Sequence, residues 1–207
     1  MLKYESQISI TPNIHIHWVL KMSILDSGSV RADNGSSSEK FPAMVHYIIS
    51  KFGERGIPKT LLAKLCYFSD FDNYELYAES ITGEKYRKAE HGPLAAEFKN
   101  SCGRLERAGK IKIRETETAG GNRMSKCISV ADPDVSGFSK RDLEMIDWVI
   151  ERYGRYTTRA ISEISYNDIP WVSTRPGEII DYELIFYRNS MTSVSDDETE
   201  ELESGSD

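Results

Sequence analysis

Apolar residues recur at helical spacing in the first half of the chain. Between residues 39 and 52 they fall three or four positions apart, and Ser36 and Glu39 have the spacing of a capping box. A second apolar run follows Pro58, a residue that the first turn of a helix tolerates. This run extends to about residue 70, with a further turn to Ala78. The pattern predicts two helices here.

Three more helices are predicted downstream. Gly92 and Pro93 are expected to open the first of them, whose apolar positions are Leu94, Phe98, Cys102 and Leu105. Ser139 is the predicted N-cap of the next, which reaches about residue 153. Thr157 or Thr158 caps a short helix through residue 164.

Residues 110–118 and 124–130 alternate between apolar and polar positions, which is typical of strands. Gly120, Gly121 and Asn122 join them and are residue types that supply positive φ in tight turns. The pattern predicts a β-hairpin that follows a helix, an arrangement that resembles a wing.

The last apolar segment is less regular. Pro170 and Trp171 are predicted to form an anchored loop, and residues 176–177 a turn. Residues 179–187 fit either a helix or a strand, and helix is favoured.

These elements predict an α+β fold that is predominantly helical, a compact helical domain with a small β-hairpin. Residues 1–35 are assigned to an extended N-terminal segment with a polar linker, residues 36–188 to the domain, and residues 189–207 to a disordered acidic tail. Met22 precedes the linker and is an alternative start, so Met1 and Met22 both remain open.

Composition narrows the class of protein. Hydrophobic residues make up 39% of the chain and charged residues 29%, a balance typical of soluble globular proteins. No apolar run is long enough for a membrane span, and three widely spaced cysteines do not form a disulfide framework. A cytoplasmic protein without membrane association is therefore expected.

Charge is unevenly distributed. Residues 189–207 carry seven of the 33 acidic residues and none of the 26 basic ones, so the rest of the chain is balanced. Residues 99–126 hold eight basic residues against three glutamates. Such a patch suits an acidic partner or phosphates. Its candidate binding residues are Lys99, Arg104, Arg107, Lys112 and Arg114.

His91 is the main candidate for chemistry, because an imidazole titrates near neutral pH and Asp70 or Asp72 could lie close to it. An architectural role is favoured, since no nucleophile with an orienting partner stands at motif spacing. His15 and His17 alone are weak metal ligands, and Asp70 with Asp72 more often form a cap than a magnesium site. No catalytic residue, metal site or cofactor is predicted.

Two ordered blocks resemble the Panacea domain, the SocA-like antitoxin family. The first block, residues 61–98, carries the motif residues Lys64, Leu65, Tyr67, Phe68, Asp70, Gly83, His91, Gly92 and Pro93. The second, residues 162–183, carries Ser165, Trp171, Gly177, Ile180 and Tyr182. The resemblance extends over residues 40–187. Tyr166 stands where many members have a histidine, which argues against a shared catalytic histidine.

The resemblance implies an antitoxin that binds a cognate toxin protein directly and catalyses no reaction. It also implies association with phages or prophages and, for one branch, delivery of the toxin to a protease. The motif residues are then mainly structural. Two alternatives stay open: a winged-helix-like regulator that binds nucleic acid through the basic patch, and a hydrolase or nuclease built on His91, Asp70 and Asp72, for which the sequence offers the least support.

Overall fold

Helix α2 (Lys59–Tyr77) is buried along most of its length. Every residue of Leu61–Asn73 is buried, which explains why this predicted helix carries apolar residues on several sides. It ends at Tyr77, and the N–H of the cap residue Ala78 donates to the carbonyl oxygen of Tyr74. The left-handed φ of Ala78, 52°, turns the following chain out of the helix. Helix α1 (Ser37–Ser50) packs on α2 through Phe41, Met44, Val45, Ile48 and Ile49.

The computed structural model describes residues 37–117, 121, 123–189 and 192–195, all within one unit that spans residues 35–207. Two N-terminal helices were predicted, and α1 and α2 confirm them. The predicted cap Ser36, the segment 1–35 and the acidic part of the tail lie outside the described residues.

The remaining helices lie downstream of α2. They are α3 (Phe98–Arg107), α4 (Lys140–Tyr153), α5 (Thr158–Asn167) and α6 (Ile169–Ser173). Ser139 caps α4 in a capping box with Asp142, and Thr157 caps α5 through the N–H of Ala160. Both predicted caps are confirmed. A 3-10 helix at Tyr182–Tyr187 supports the preference for helix in this segment.

The predicted hairpin is confirmed as β4 (Ile111–Glu117) and β5 (Arg123–Ser129). These antiparallel strands extend into a three-stranded sheet, because β1 (Ile57–Pro58) pairs with the other edge of β5. The strand order is β1-β5-β4. The connection between β4 and β5 lies mostly outside the described residues.

A second hairpin, absent from the predictions, consists of β2 (Tyr86–Ala89) and β3 (Gly92–Ala95). The prediction that Gly92 and Pro93 open a helix is wrong, since both lie in β3 and α3 begins at Phe98. The reason is local: Gly92 has a φ of +95°, a value incompatible with a helical first turn. Ile179 pairs with Arg87 through one isolated bridge on the far side of β2.

The loop predicted at Pro170 and Trp171 is also wrong. These residues lie in α6, where Pro170 occupies the second helical position and its missing N–H costs no hydrogen bond. The predicted turn at residues 176–177 is present. The α+β, mostly helical fold class is confirmed. In the part of the chain that the structure describes, no helix has both the length and the apolar character to cross a membrane.

Candidate functional site

Lys64 is a buried amine that ties helix α2 to the β2–β3 hairpin. Its side chain is only 2% exposed, and Nζ donates to the carbonyl oxygens of His91 at 2.6 Å and Pro93 at 3.2 Å. Burial lowers the pKa of this amine to about 7. Because the bonds run to main-chain oxygens, Lys64 fixes the backbone of the hairpin whatever side chains the hairpin carries.

Gly92 is the residue that lets the hairpin approach Lys64 so closely. A Cβ at this position would lie 2.3 Å from Lys64 Nζ and 3.0 Å from Ser165 Oγ. Ser165 is fully buried on α5, and its hydroxyl donates to the carbonyl oxygen of Ser162. The two motif blocks therefore meet at one contact. Lys64 and Gly92 belong to the first block, and Ser165 belongs to the second.

Asp70 anchors the other end of the same hairpin. Its carboxylate accepts bonds from the Thr82 N–H at 2.8 Å, the Thr82 hydroxyl at 2.6 Å and the Tyr86 hydroxyl at 2.7 Å. Burial raises the pKa of Asp70 to about 6, although these donors stabilise the ionised form. Together, Asp70 and Lys64, six residues earlier on α2, fix both ends of β2–β3 to the central helix.

A second buried network surrounds Arg188, whose side chain is 1% exposed. Its guanidinium contacts Asp72 at 2.7 Å, Glu75 at 2.8 Å and Asp168 at 2.6 Å. Tyr67 adds a hydroxyl bond to Asp168 at 2.8 Å. The carboxylates raise the pKa of Arg188 well above its ordinary value, so it stays charged. The network joins α2, the end of α5 and the chain that follows the 3-10 helix.

Asp72 is the least satisfied member of this network. Its Oδ1 accepts from Arg188, whereas Oδ2 is buried and has no hydrogen-bond partner among the described residues. Burial raises the pKa of Asp72 to about 7, opposed by the Arg188 charge. Three carboxylates share one guanidinium, so the negative charge of the network is not fully compensated.

Residues 193–195 close over the network. The Ser193 hydroxyl and the Val194 N–H both donate to Glu75, and the Val194 side chain is buried. The polar side chains of α2 thus hold the C-terminal end of the domain against the central helix.

The remaining motif residues of the second block line the hairpin. The Ile180 N–H donates to the Tyr86 carbonyl at 2.7 Å, and the Gly177 N–H donates to the Lys88 carbonyl at 2.8 Å. The Tyr182 hydroxyl donates to the Glu84 carbonyl, and its ring stacks on Phe71 at 4.3 Å. Gly177 has a φ of +82°, which allows the turn that returns the chain to β2.

Trp171, Leu65 and Phe68 pack in or beside the core. Lys88 Nζ lies 4.1 Å from the Trp171 ring centroid, and the indole Nε1 is buried without a hydrogen-bond partner in the described residues. Leu65 is fully buried, and Phe68 stacks on Tyr153 at 4.6 Å. These motif residues contribute packing.

Three members of the motif set are exposed, namely Gly83, His91 and Gly177. His91 contributes its carbonyl oxygen to Lys64, while its imidazole is exposed in the two-residue connection between β2 and β3. Asp70 and Asp72, the carboxylates that a catalytic role would need beside the imidazole, are both buried. Gly83 has a φ of +69° in the turn before β2.

The hairpin that these residues hold presents an outer face to solvent. Arg87 lies opposite Leu94 on β3 and opposite Ile179 on its other side. Tyr86, Ala95 and Ile180 point the other way and are buried, so alternation places Arg87, Leu94 and Ile179 together outside. Leu94 is 39% exposed and Ile179 is 42% exposed. We call these three residues the β2–β3 outer face.

The predicted basic patch divides over two elements. Lys99, Arg104 and Arg107 are exposed on α3, where Arg104 is paired with Glu39 at 2.6 Å. Lys112 and Arg114 are exposed on β4. The structure brings the family-motif residues together in the interior and leaves the patch residues on the surface.

Sequence reasoning missed Glu75, Asp168 and Arg188 as network members. Asp168 and Arg188 are about 100 residues or more from their α2 partners, and no local spacing encodes that contact. One feature of the sequence distinguishes Arg188 from other basic residues: it is the last one before the acidic tail. Within the described residues no three His, Cys, Asp or Glu side chains are arranged to hold a metal ion.

Comparison with known proteins gives one match. Residues 62–172, slightly more than half of the chain, match the family described as antitoxin SocA-like, Panacea domain. No curated protein and no solved structure matches the chain. The matched range begins in α2 and ends in α6, so it includes Lys64, Asp70, the β2–β3 hairpin and Asp168. The chain belongs to the SocA-like antitoxin family of Panacea domain proteins.

Proposed function

We propose that this chain is an antitoxin that neutralises a cognate toxin by direct protein–protein binding and catalyses no reaction. The observation that carries the proposal is the family match over residues 62–172. Family membership supports a toxin as the partner. We also propose a surface on the domain for this partner.

The β2–β3 outer face is the surface that we assign to the toxin. It combines two exposed aliphatic side chains with one arginine, a residue type that is enriched at interface centres. Arg87 Nη1 donates to the Gly177 carbonyl at 3.3 Å, which orients the guanidinium beside Leu94 and Ile179. A partner that covers this face buries apolar area and gains a directional donor.

The interior contacts favour binding by keeping this face rigid. Lys64 and Asp70 hold the hairpin and the segment that leads into it through five hydrogen bonds in total. A surface that is already ordered loses less conformational entropy when a partner binds. The motif residues then keep the shape of the site constant, while the outward side chains determine which toxin fits.

The test is co-expression of this chain with the protein encoded beside its gene, scored by growth rescue and co-purification. The double variant Leu94→Asp/Ile179→Asp places two charges on the face without touching Lys64 or Asp70. We expect loss of rescue and a fall in affinity of at least about 30-fold, the size of one interface hot spot. Val135→Asp is the control for adding a carboxylate at an exposed aliphatic position, because Val135 is 37% exposed outside the β2–β3 outer face.

The fate of the toxin separates two routes of neutralisation. Direct binding predicts a stable complex and an unchanged toxin half-life, whereas delivery to a protease predicts a shorter toxin half-life that lengthens when the protease is removed. Rescue by the double variant at wild-type level would exclude the β2–β3 outer face. Rescue without any physical association with the toxin would contradict the proposed function itself.

A further inference from the structure

Six elements of the domain have the order and pairing of a winged helix. Helix α1, strand β1 and helix α2 are followed by α3 and the β4–β5 hairpin, and the sheet order is β1-β5-β4. In a winged helix, three helices pack on a sheet in which the first strand pairs with the third and the second lies at the edge. The β2–β3 hairpin is an insertion between the second and third helices of this arrangement.

Helix α3 occupies the position of the helix that enters the major groove in such folds. Its inner side is buried at Phe98, Ser101, Cys102 and Leu105, the spacing of one helical face. The opposite side exposes Lys99, Asn100 and Arg107. Helix α3 therefore presents a polar side with two cations to solvent.

The hairpin carries a second group of cations, Lys112, Arg114 and Lys126, which we call the wing cations. Arg114 lies directly opposite Lys126, and Lys112 projects from the same face two residues along β4. Ile113, paired with Cys127, projects from the other face. In the part of the chain that the structure describes, no carboxylate lies within ion-pair distance of a wing cation.

This placement is unfavourable for the isolated domain. Like charges directly across a strand pair repel each other and destabilise the sheet. The carboxylate of Glu115 does not relieve the repulsion, because it lies on the other face, where it accepts from Ser125 at 2.5 Å. A partner that supplies negative charge to this face would remove the cost.

We propose that helix α3 and the wing cations form a binding surface for duplex DNA, with the phosphate backbone as the main ligand. The strand order favours DNA over an acidic protein, because it places a helix and an adjoining hairpin where a duplex presents a groove and its flanking phosphates. Three residues, Ala108, Gly109 and Lys110, separate α3 from β4, and the last of them adds a cation to this connection. This surface is distinct from the β2–β3 outer face.

The experiment titrates full-length protein into a fluorescent duplex of about 20 base pairs at salt concentrations between about 50 and 200 mM. The test variant is Lys112→Gln/Arg114→Gln/Lys126→Gln. The control variant, Lys140→Gln/Arg155→Gln/Arg159→Gln, removes the same charge from exposed positions on and after α4. We expect the test variant to bind the duplex at least about tenfold more weakly. The slope of log affinity against log salt concentration should also decrease in magnitude by about one unit for each cation removed.

The control variant should keep the wild-type affinity and slope. An equal loss in both variants, or wild-type protein that does not bind at the lowest salt, would overturn the proposal. Polyglutamate that competes as well as unlabelled duplex would overturn it in favour of an acidic protein partner.

A stability measurement shows whether weaker binding reflects damage to the fold. Arg114→Gln relieves the repulsion from Lys126, so we expect its melting temperature to equal or exceed that of the wild type. Lower DNA affinity together with equal or higher thermal stability supports a binding role. A lower melting temperature would mean that Arg114 serves the fold, which contradicts the proposal.

Discussion

The charges of helix α2 and those of the β4–β5 hairpin lie in opposite surroundings. On α2, Lys64, Asp70 and Asp72 are at most 2% exposed, and each contacts polar atoms of other elements. On the hairpin, Arg114 and Lys126 face each other, and no carboxylate among the described residues pairs with either.

The difference separates charges that serve the fold from charges that remain available to a partner. A buried charge is tolerated only when hydrogen bonds replace its hydration, so its partners define the architecture. An exposed charge keeps its hydration and needs no protein partner. The three changes below each pair an interior position with a surface position.

Arg188→Met should produce the largest effect. It removes the guanidinium that Asp72, Glu75 and Asp168 share and leaves buried carboxylates without a counter-charge. Breaking a buried ion pair in this way costs about 4 kcal/mol, so we expect a loss of this size in the free energy of unfolding, measured with denaturant. Arg159→Met, at a fully exposed ion pair with Glu163, should leave the curve unchanged within error.

The loss caused by Arg188→Met should be smaller in acid than in mildly alkaline solution, because protonation removes the uncompensated charge. A loss below about 1 kcal/mol under alkaline conditions would show that the carboxylates do not depend on Arg188.

Gly92→Ala should have the next largest effect. The new methyl group would lie 2.3 Å from Lys64 Nζ, and the residue would have to keep a φ of +95°. The clash and the strain together should cost about 3 kcal/mol in the free energy of unfolding.

Gly103→Ala is the matched control for Gly92→Ala. Gly103 lies in α3, and a Cβ there would meet no atom within 4 Å. We expect it to stabilise the protein by about 0.5–1 kcal/mol, because alanine favours the helix. Equal effects of the two substitutions would contradict the tight contact between the hairpin and Lys64.

The sequence predicted the elements that carry a long local signal. Helices α1 and α2 show apolar spacing over three or more turns, Ser139 and Thr157 mark helix starts, and the β4–β5 hairpin alternates over seven residues on each strand.

The β2–β3 hairpin could not be predicted in the same way. Each strand has four residues, which is only two alternations, and the connection is Glu90-His91 in place of a glycine-containing turn. Gly92 and Pro93 also satisfy the rule for a helix start, so local chemistry favoured the wrong element.

The sequence predicted the residues of the candidate site that lie on α2, but it did not predict the residues that they contact. The family resemblance named Lys64, Tyr67 and Asp70, whereas the contacts to Asp168 and Arg188 depend on how distant segments return to α2. Burial of a charged residue is a property of the fold, so the altered pKa values of Lys64 and Asp72 follow only from the structure.

Asp72→Asn should have the smallest of the three effects and the opposite sign. The pKa of Asp72 is about 7 in the folded protein, whereas its ordinary value is 3.8. Between these two pH values the carboxyl of Asp72 is protonated in the folded protein and ionised in the unfolded chain. Stability therefore falls as the pH rises from about 4 to 7, and the full penalty is present above that window. Asparagine carries no charge, and Glu75 and Asp168 still neutralise Arg188.

We expect Asp72→Asn to raise the free energy of unfolding at about pH 8 by on the order of 2 kcal/mol, with the difference vanishing towards pH 4. Denaturant unfolding of both proteins across this range measures it. Glu115→Gln on the hairpin is the surface control, and it should change the free energy of unfolding by less than about 0.5 kcal/mol at about pH 8. Destabilisation by Asp72→Asn at the alkaline end would mean that the Asp72–Arg188 attraction exceeds the cost of burying the carboxylate. The interior network would then depend on all three carboxylates being ionised, and Asp72 would be a structural counter-charge like Asp168.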